Sequence, residues 1–380
     1  MKLLIHDYPQ PEHARISAGF RDWTIISDSG NIRPCIGCFR CWTGGTGKCV
    51  FADGYENMCA LIHSADELYV MSRWTYGGFS SFVKNVFDRS IGYVLPEFET
   101  AYGEMHHRRR FPEEKPVTFC FRGSGLTEED KEKSRKYVAA VCRNLRGRVK
   151  EVLFEECAEE IPGLSAETPA ERSGVLLIDG SLRGNRSNTN VFLKRLQKDM
   201  RLPADLFSLS SSTDCEKIAD AVSRAETVVL GVPLYVDGIP APVIRLMETV
   251  EKRGTGRRCR LYAVVNNGLY ESRQNENLLH MIRTWSDAAG FVYCGSLAIG
   301  AGEVMGTLMR GRQRVLWPAR SVLSGISHLA EAVDAGRNAD TVFADAYLFP
   351  RWLYITIANV NWQRLKKQHK PLIKGKPPQM

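Results

Sequence analysis

The chain has 380 residues, 44% of them hydrophobic and 25% charged, which excludes disordered and collagen-like chains and is long enough for two self-sufficient cores. Lys plus Arg is 51 against 43 Asp plus Glu, a net +8 too diffuse to announce nucleic-acid binding and only mildly favourable to anionic ligands. No stretch reaches the ~18 apolar residues of a membrane span.

The first strand signal is Lys2-Leu-Leu-Ile-His6, followed by Asp7-Tyr-Pro-Gln-Pro-Glu-His-Ala14. Two prolines there remove N–H donors and two carboxylates repel anions, so this loop is a poor seat for a phosphate. After a second strand, Trp23–Ser27, come four cysteines in the pattern C-x2-C-x2-C-x7-C: Cys35, Cys38, Cys41 and Cys49. Thiols at that spacing can converge on one centre, and four-cysteine ligation serves iron–sulfur clusters and structural zinc alike. Reduced, metal-free thiols are the third alternative. Eleven cysteines, an odd number, and an opening MKLLIHDYPQ without a signal pattern argue for a cytoplasmic setting rather than a disulfide framework.

Ala65–Gly78 then reads as an apolar strand and a glycine-bearing loop, with a helix at Phe82–Asp88. His106-His-Arg-Arg-Arg110 reads as a basic loop. Val117–Gly125 is another strand running into a Gly-bearing loop. Residues 157–172, rich in Pro, small residues and acids, read as a linker. Beyond it, Gly174-Val-Leu-Leu-Ile-Asp-Gly180 is a buried-strand signal.

The halves repeat each other. Ala65–Gly78 aligns with Ala225–Gly238 at a constant offset of 160, and Val117–Gly125 pairs with Leu261–Gly268. Strand–loop–helix units in series predict parallel sheets covered by helices on both faces. The expected fold is therefore α/β, two tandem doubly wound domains with a C-terminal helical extension. The boundaries are 1–160, a linker at 161–173, 174–345, and a helix with a basic tail over 346–380.

Ligands of such sheets sit at the carboxyl ends of the strands. In the second half three loops fall there. Gly180-Ser-Leu-Arg-Gly-Asn-Arg-Ser-Asn-Thr189 offers backbone amides, hydroxyls, guanidinia and a following helix N-terminus to a phosphate. It fits neither the GxxxxGK[ST] nor the GxGxxG pattern. Pro233-Leu-Tyr-Val-Asp-Gly238 and Asn266-Asn-Gly-Leu-Tyr-Glu271 are the other two.

On those residues the second half resembles the flavodoxin-like NAD(P)H-dependent FMN reductases, with Gly180–Arg183 and Ser187–Thr189 matching the phosphate loop and Pro233–Tyr235 the loop beside the flavin ring. The four cysteines, with Phe87-Asp-Arg89, resemble the iron-sulfur flavoproteins. The resemblance implies two flavodoxin-like domains. It implies FMN held by Ser181, Arg183, Asn185, Ser187, Asn188, Thr189, Pro233, Leu234, Tyr235, Val236, Asp237, Gly238, Asn266, Asn267, Gly268, Tyr270 and Glu271. It implies NAD(P)H as electron donor, a small-molecule or protein acceptor, and a [4Fe-4S] cluster or none on Cys35, Cys38, Cys41 and Cys49. Asp237 departs from the small or polar residue usual there. Since the family pairs each flavin with a partner subunit, the first half, a degenerate flavodoxin-like domain expected to bind no FMN of its own, serves either as partner face to the second, with Arg73, Trp74 and Tyr76 over the flavin or nicotinamide, or only as a structural lobe. A homo-oligomer is compatible with this.

Tyr347–Lys367 is aromatic first and basic last. It reads as a helix docked on the domains or exchanged between subunits, or alternatively lying on a membrane surface.

Overall fold

The computed structural model describes residues 1–157, 174–209, 215–254, 259–311, 317–346 and 349–368, without the side chains of 10, 11 and 14. The expected linker at 161–173 and the basic end of the tail from 369 lie outside the described residues.

The first half contains β1 (Lys2–His6), α1 (Gln10–Gly19), β2 (Trp23–Ser27), α2 (Arg40–Thr43), α3 (Met58–Ser64), β3 (Glu67–Arg73), α4 (Ser81–Asp88), β4 (Val94–Ala101), β5 (Glu104–Arg109), β6 (Pro116–Gly123), α5 (Glu128–Asn144) and β7 (Arg148–Glu156). Its main sheet is parallel in the order β2-β1-β3-β6-β7. With the hairpin β4–β5 set aside, that is the doubly wound order 2-1-3-4-5. The second half contains β8 (Val175–Asp179), α6 (Asn188–Asp199), β9 (Ala204–Ser208), α7 (Cys215–Arg224), β10 (Thr227–Pro233), α8 (Ala241–Arg253), β11 (Arg260–Asn266), α9 (Glu276–Ala289), β12 (Val292–Ile299), α10 (Gly302–Arg310), α11 (Arg320–Asp334) and β13 (Thr341–Ala344). Its parallel order, β9-β8-β10-β11-β12-β13, is the same winding with a sixth strand added. All five residues of β8 are buried, as a central parallel strand covered on both faces requires.

The halves share one core. The largest buried cluster runs from Leu3 and Phe119 in the first sheet to Val228 and Leu261 in the second. Between the sheets α4 packs on α8 and α5 on α9. The turns after β3 and β10 are superimposable in kind. Thr75 and Gly78 exchange backbone hydrogen bonds of 3.0 and 2.9 Å, and Tyr235 and Gly238 exchange bonds of 3.1 and 3.0 Å. The central residues of both have positive φ: Tyr76 and Gly77, Val236 and Asp237. Gly78 and Gly238 meet the same two side chains. A Cβ on Gly78 would stand 2.8 Å from Met281 and 3.1 Å from Tyr137, and one on Gly238 would stand 3.0 Å from Tyr137 and 3.2 Å from Met281. A methyl group at either point would have to displace Met281 or Tyr137 at the junction of the halves.

The basic run 106–110 is not a loop. His106–Arg109 lie in β5, paired antiparallel with β4 across a Tyr102-Gly103 turn in which both residues have positive φ. His106 is buried, and burial lowers the pKa of His107 to about 4. Arg109 pairs with Glu114 at 2.5 Å, and Arg110 donates to the Gly92 carbonyl at 2.6 Å. The C-terminal helix α12 (Arg351–Gln368) lies across this hairpin. Asn359 exchanges hydrogen bonds with the Phe98 backbone at 2.7 and 3.0 Å, and Lys366 pairs with Glu97 at 2.6 Å. No described helix is long and apolar enough to cross a membrane.

Candidate functional site

The loop after β8 runs from Gly180 to Ser187 and hands over to α6, whose N-cap is Ser187, its Oγ accepting from the Asn190 N–H at 2.9 Å. Inside the loop sits Asp179, a carboxylate not singled out from the sequence. It is fully buried and accepts from the Ser181 N–H at 3.0 Å, Ser187 Oγ at 3.2 Å and Asn190 Nδ2 at 3.0 Å. Burial pushes its pKa up to about 6, against the pull of those donors. Asp179 thus shapes the loop from within. Arg183 and Asn188 are half-buried and Asn185 and Arg186 exposed around its mouth.

The mouth is walled by α10. Glu303 accepts from Asn188 Nδ2 at 2.9 Å and lies 3.8 Å from Arg183 Nη1, while Arg310 donates to the carbonyls of Arg186 and Ser187 at 3.0 and 2.7 Å. A Cβ on Gly306 would run into the Asn188 side chain. The guanidinia and the α6 N-terminus suit a phosphate, and the acceptor now seated against Arg183 and Asn188 is Glu303.

The second loop, Pro233–Gly238, is tied to the third: the Leu234 N–H donates to the Asn266 carbonyl at 2.7 Å. Val236, a β-branched residue, holds φ 40, a strained backbone of the kind found at ligand-bearing turns. Asp237 turns away from the loop mouth and accepts both Asn144 Nδ2 bonds, at 2.7 and 2.8 Å, from the first half. Burial raises its pKa to about 6.

The third loop divides. Asn266 Nδ2 donates to Thr189 Oγ1 at 2.8 Å, joining it to the phosphate loop. Asn267 folds onto its own turn, Nδ2 donating to the Glu271 carbonyl and Oδ1 accepting from the Leu269 N–H, both at 3.0 Å. The Gly268 carbonyl accepts from Tyr354, and Tyr270 donates to the Phe349 carbonyl. Glu271 accepts from the Met105 N–H at 3.1 Å and pairs with Arg351 at 2.6 Å. Residues 267–271 therefore anchor α12 and the hairpin, and only Asn266 reaches the other two loops.

The cysteines come from the long segment between β2 and α3. Cys35, Cys38, Cys41 and Cys49 line one recess with Phe51, Asp88 and Arg89. Arg89 is fixed there by Asp53 at 2.5 Å and the Phe51 carbonyl at 3.1 Å. Burial pushes the Cys35 thiol well up and the Cys41 thiol up to about 12, which keeps both neutral until a positive partner arrives. The donor set is that of a four-thiolate centre. As the side chains are placed, however, no three such ligands among the described residues stand together closely enough to hold a metal ion. Cys59, Cys120, Cys142, Cys259 and Cys294 are buried elsewhere.

This recess abuts the second half's loops. Gly37, at φ 62, lies so close to Tyr235 Oη that a Cβ would collide with it, and the Arg183 side chain is 3.3 Å from the same point. The Arg183 guanidinium sits 5.4 Å over the Phe39 ring. The residues expected to cover the site do not. Arg73 pairs with Glu248 and Tyr76 with Glu251 on α8, and Trp74 donates to Ser134 on α5. They lie at the end of the first half's own strand β3, so their side chains meet the helices of the interface instead. The part of the first half that meets the loops after β8 and β10 is the cysteine segment.

No family model matches the chain, and no curated protein matches it. Among solved structures, the Trp repressor binding protein from Bacillus subtilis is 13% identical, covering 37% of this chain and 99% of its own, at a TM-score of 0.28. An azoreductase from Bacillus anthracis str. Sterne is 12% identical, covering 42% of this chain and 98% of its own, at 0.30. The Flv1 flavodiiron core from Synechocystis sp. PCC6803 is 10% identical, covering 75% of this chain and 79% of its own, at 0.29.

Proposed function

We propose that the chain is a flavin-dependent oxidoreductase that seats one FMN on its second half and passes electrons from NAD(P)H to a small-molecule or protein acceptor. The observation that carries this is the junction of the loops after β8, β10 and β11 at the point where the strand order reverses, closed by the Asn266–Thr189 and Leu234–Asn266 bonds. Bound FMN would supply the hydride chemistry. Ser181, Arg183, Asn185, Ser187, Asn188 and Thr189 would position its phosphate, with Glu303 giving way. Pro233–Gly238 and Asn266 would border its ring, and the Gly37–Phe39 turn would exclude water from Tyr235. In this reading the chain is a tandem duplication that fuses the two members of a flavoprotein dimer, and only one keeps the phosphate loop.

A second reading, an electron carrier with a [4Fe-4S] cluster, is favoured by one fact: all four cysteines line a single recess against the flavin loops. Anaerobic purification followed by flavin, iron and sulfide quantitation tests both. One FMN per chain with NAD(P)H oxidation supports the oxidoreductase. Two per chain, or a colourless chain that takes up no FMN, overturns the single-site assignment. Iron and sulfide with broad absorption bleached by dithionite establish the carrier.

A further inference from the structure

The four cysteines of the recess are not equivalent. Cys38 is exposed, Cys35 and Cys49 are half-buried, and Cys41 is buried. A four-thiolate centre draws all of its ligands onto one point, yet among the described residues no three such side chains stand close enough together for that. A disulfide needs only two. Burial acts most on Cys41, and after it the strongest influence is the charge of Cys38, whereas around Cys35 Asp88 comes ahead of any thiol. Cys38 and Cys41 are therefore the pair that the fold sets against each other, at the C-x2-C spacing that redox-active thiols use.

The turn between them gives each a role. Phe39, at φ 56, bends the chain ahead of α2, and its carbonyl accepts from the Trp42 and Thr43 N–H groups at 3.0 and 2.9 Å. Trp42 is pinned in turn, its Nε1 donating to the Ile91 and Val94 carbonyls at 2.8 and 3.0 Å. Cys41 is thus held inside α2, and Cys38 stands outside it where an incoming sulfur can reach. Cys38 is also flanked by both contacts with the second half, Gly37 against Tyr235 and Phe39 beneath the Arg183 guanidinium.

We propose that Cys38 and Cys41 are a dithiol–disulfide couple that reduces disulfide substrates, with Cys38 the attacking sulfur and Cys41 the resolving one. Cys38 attacks one sulfur of the substrate disulfide, whose S–S bond breaks, and the first substrate thiol leaves with the proton of Cys38. Cys41 then attacks the Cys38 sulfur, and the second substrate thiol leaves with the proton of Cys41. The substrate gains two electrons and the pair loses two. A hydride from NAD(P)H and one proton return the pair to the dithiol, which makes a disulfide the acceptor of the proposed oxidoreductase. That return step rests on the flavin reading, and the exchange does not.

The test takes the full chain, reduced and freed of reductant under anaerobic conditions, and titrates it with glutathione disulfide in the absence of FMN and NAD(P)H. Remaining thiols are alkylated and the chain is cut with trypsin, which cleaves after Arg40, between the two cysteines. The expected result is a single two-electron step that ties the peptide ending at Arg40 to the one starting at Cys41, with fragment ions placing the link on Cys38. Cys41→Ser should stop at one glutathione adduct per chain, on Cys38, and Cys38→Ser should lose the exchange. Mapping the unaltered chain needs no variant, so a substitution that fails to fold hides nothing. A link through Cys35 or Cys49, adducts without any link, or no reaction overturns the proposal. So does a chain that purifies with iron and sulfide on these thiols, which assigns the recess to a cluster. FMN and NAD(P)H are added last. Exchange without NAD(P)H oxidation keeps the couple and sinks the flavin reading, and NAD(P)H oxidation without exchange does the reverse.

Discussion

At the strand end where the second half builds an eight-residue loop, Gly180–Ser187, the first half turns into α1 after three residues, Asp7–Pro9. Strand register makes His6 the counterpart of Asp179 and Asp7 that of Gly180. The Gly180 N–H donates to the Gly231 carbonyl at 2.8 Å, and the chain continues into the loop. In the first half the Asp7 carboxylate takes the Arg73 N–H at 2.8 Å and Arg122 at 3.3 Å, and the Arg122 guanidinium covers the Tyr8 ring at 3.6 Å. The first half fills the corresponding strand end with an acid and its counter-ion. Its long connection is instead the cysteine segment after β2, which reaches Arg183 and Tyr235 of the second half. The two halves share one winding and differ at different loops, the first long after β2 and the second long after β8.

The interface offers the sharpest way to break this comparison. Lys84 on α4 is fully buried, paired with Asp88, whose other oxygen accepts from the Ala241 N–H at 3.1 Å. At the offset of 160 the second half has buried Ile244 on α8. Lys84→Ile gives the first half its sister's residue but strands Asp88 as a buried charge, which should cost about 3–5 kcal/mol in equilibrium unfolding. Adding Asp88→Asn should recover much of that loss. If Lys84→Ile alone is neutral, Asp88 does not need Lys84 to remain buried against Ala241.

Gly37→Ala should have the next largest effect. It demands both a positive φ from an L-residue and space already held by Tyr235, at a combined cost of about 2–3 kcal/mol. Because the strain falls on the contact between the cysteine segment and the loops after β8 and β10, thiol reagents should reach Cys38 and its neighbours faster in the variant. Alanine at Gly45, which also has positive φ but nothing within 4 Å, is the control for backbone strain alone.

The sheet strands and the paired turns were legible because continuous apolar runs ending in glycine have few other fates in a chain of this composition. The fixed offset carried the second half over onto the first. The hairpin escaped because Val94-Leu-Pro-Glu-Phe-Glu alternates in burial but not in sequence, and Tyr102-Gly103 is not an Asn-Gly or Asp-Gly pair of the kind that announces such a turn. The basic residues after it drew the reading toward a loop. Asp179 was hidden because an acid at a strand's end reads as the exit to solvent, whereas the loop folds back over it. Glu303 and the Gly37 contact were out of reach for another reason. Each joins residues more than a hundred positions apart in sequence, and no periodicity records which loops will face each other.

Asp237 tests the divergence most gently, because its counterpart at the same turn is Gly77. The buried carboxylate titrates near pH 6, above an unfolded value near 4, because burial disfavours its charge. Between those values the folded chain binds more protons than the unfolded one, so this residue's contribution to stability falls as pH rises through the window and stays low above it. Asp237→Gly removes the penalty and also relieves a positive φ, while leaving Asn144 without its partner. The last two effects do not vary with pH. The stability of the variant relative to the parent should therefore climb by about 1–2 kcal/mol between pH 4 and pH 7, visible as a pH-dependent gap between two melting curves. A gap constant with pH would mean that Asp237 is ionised throughout, and that Asn144 and Lys84 compensate its burial more fully than the geometry indicates.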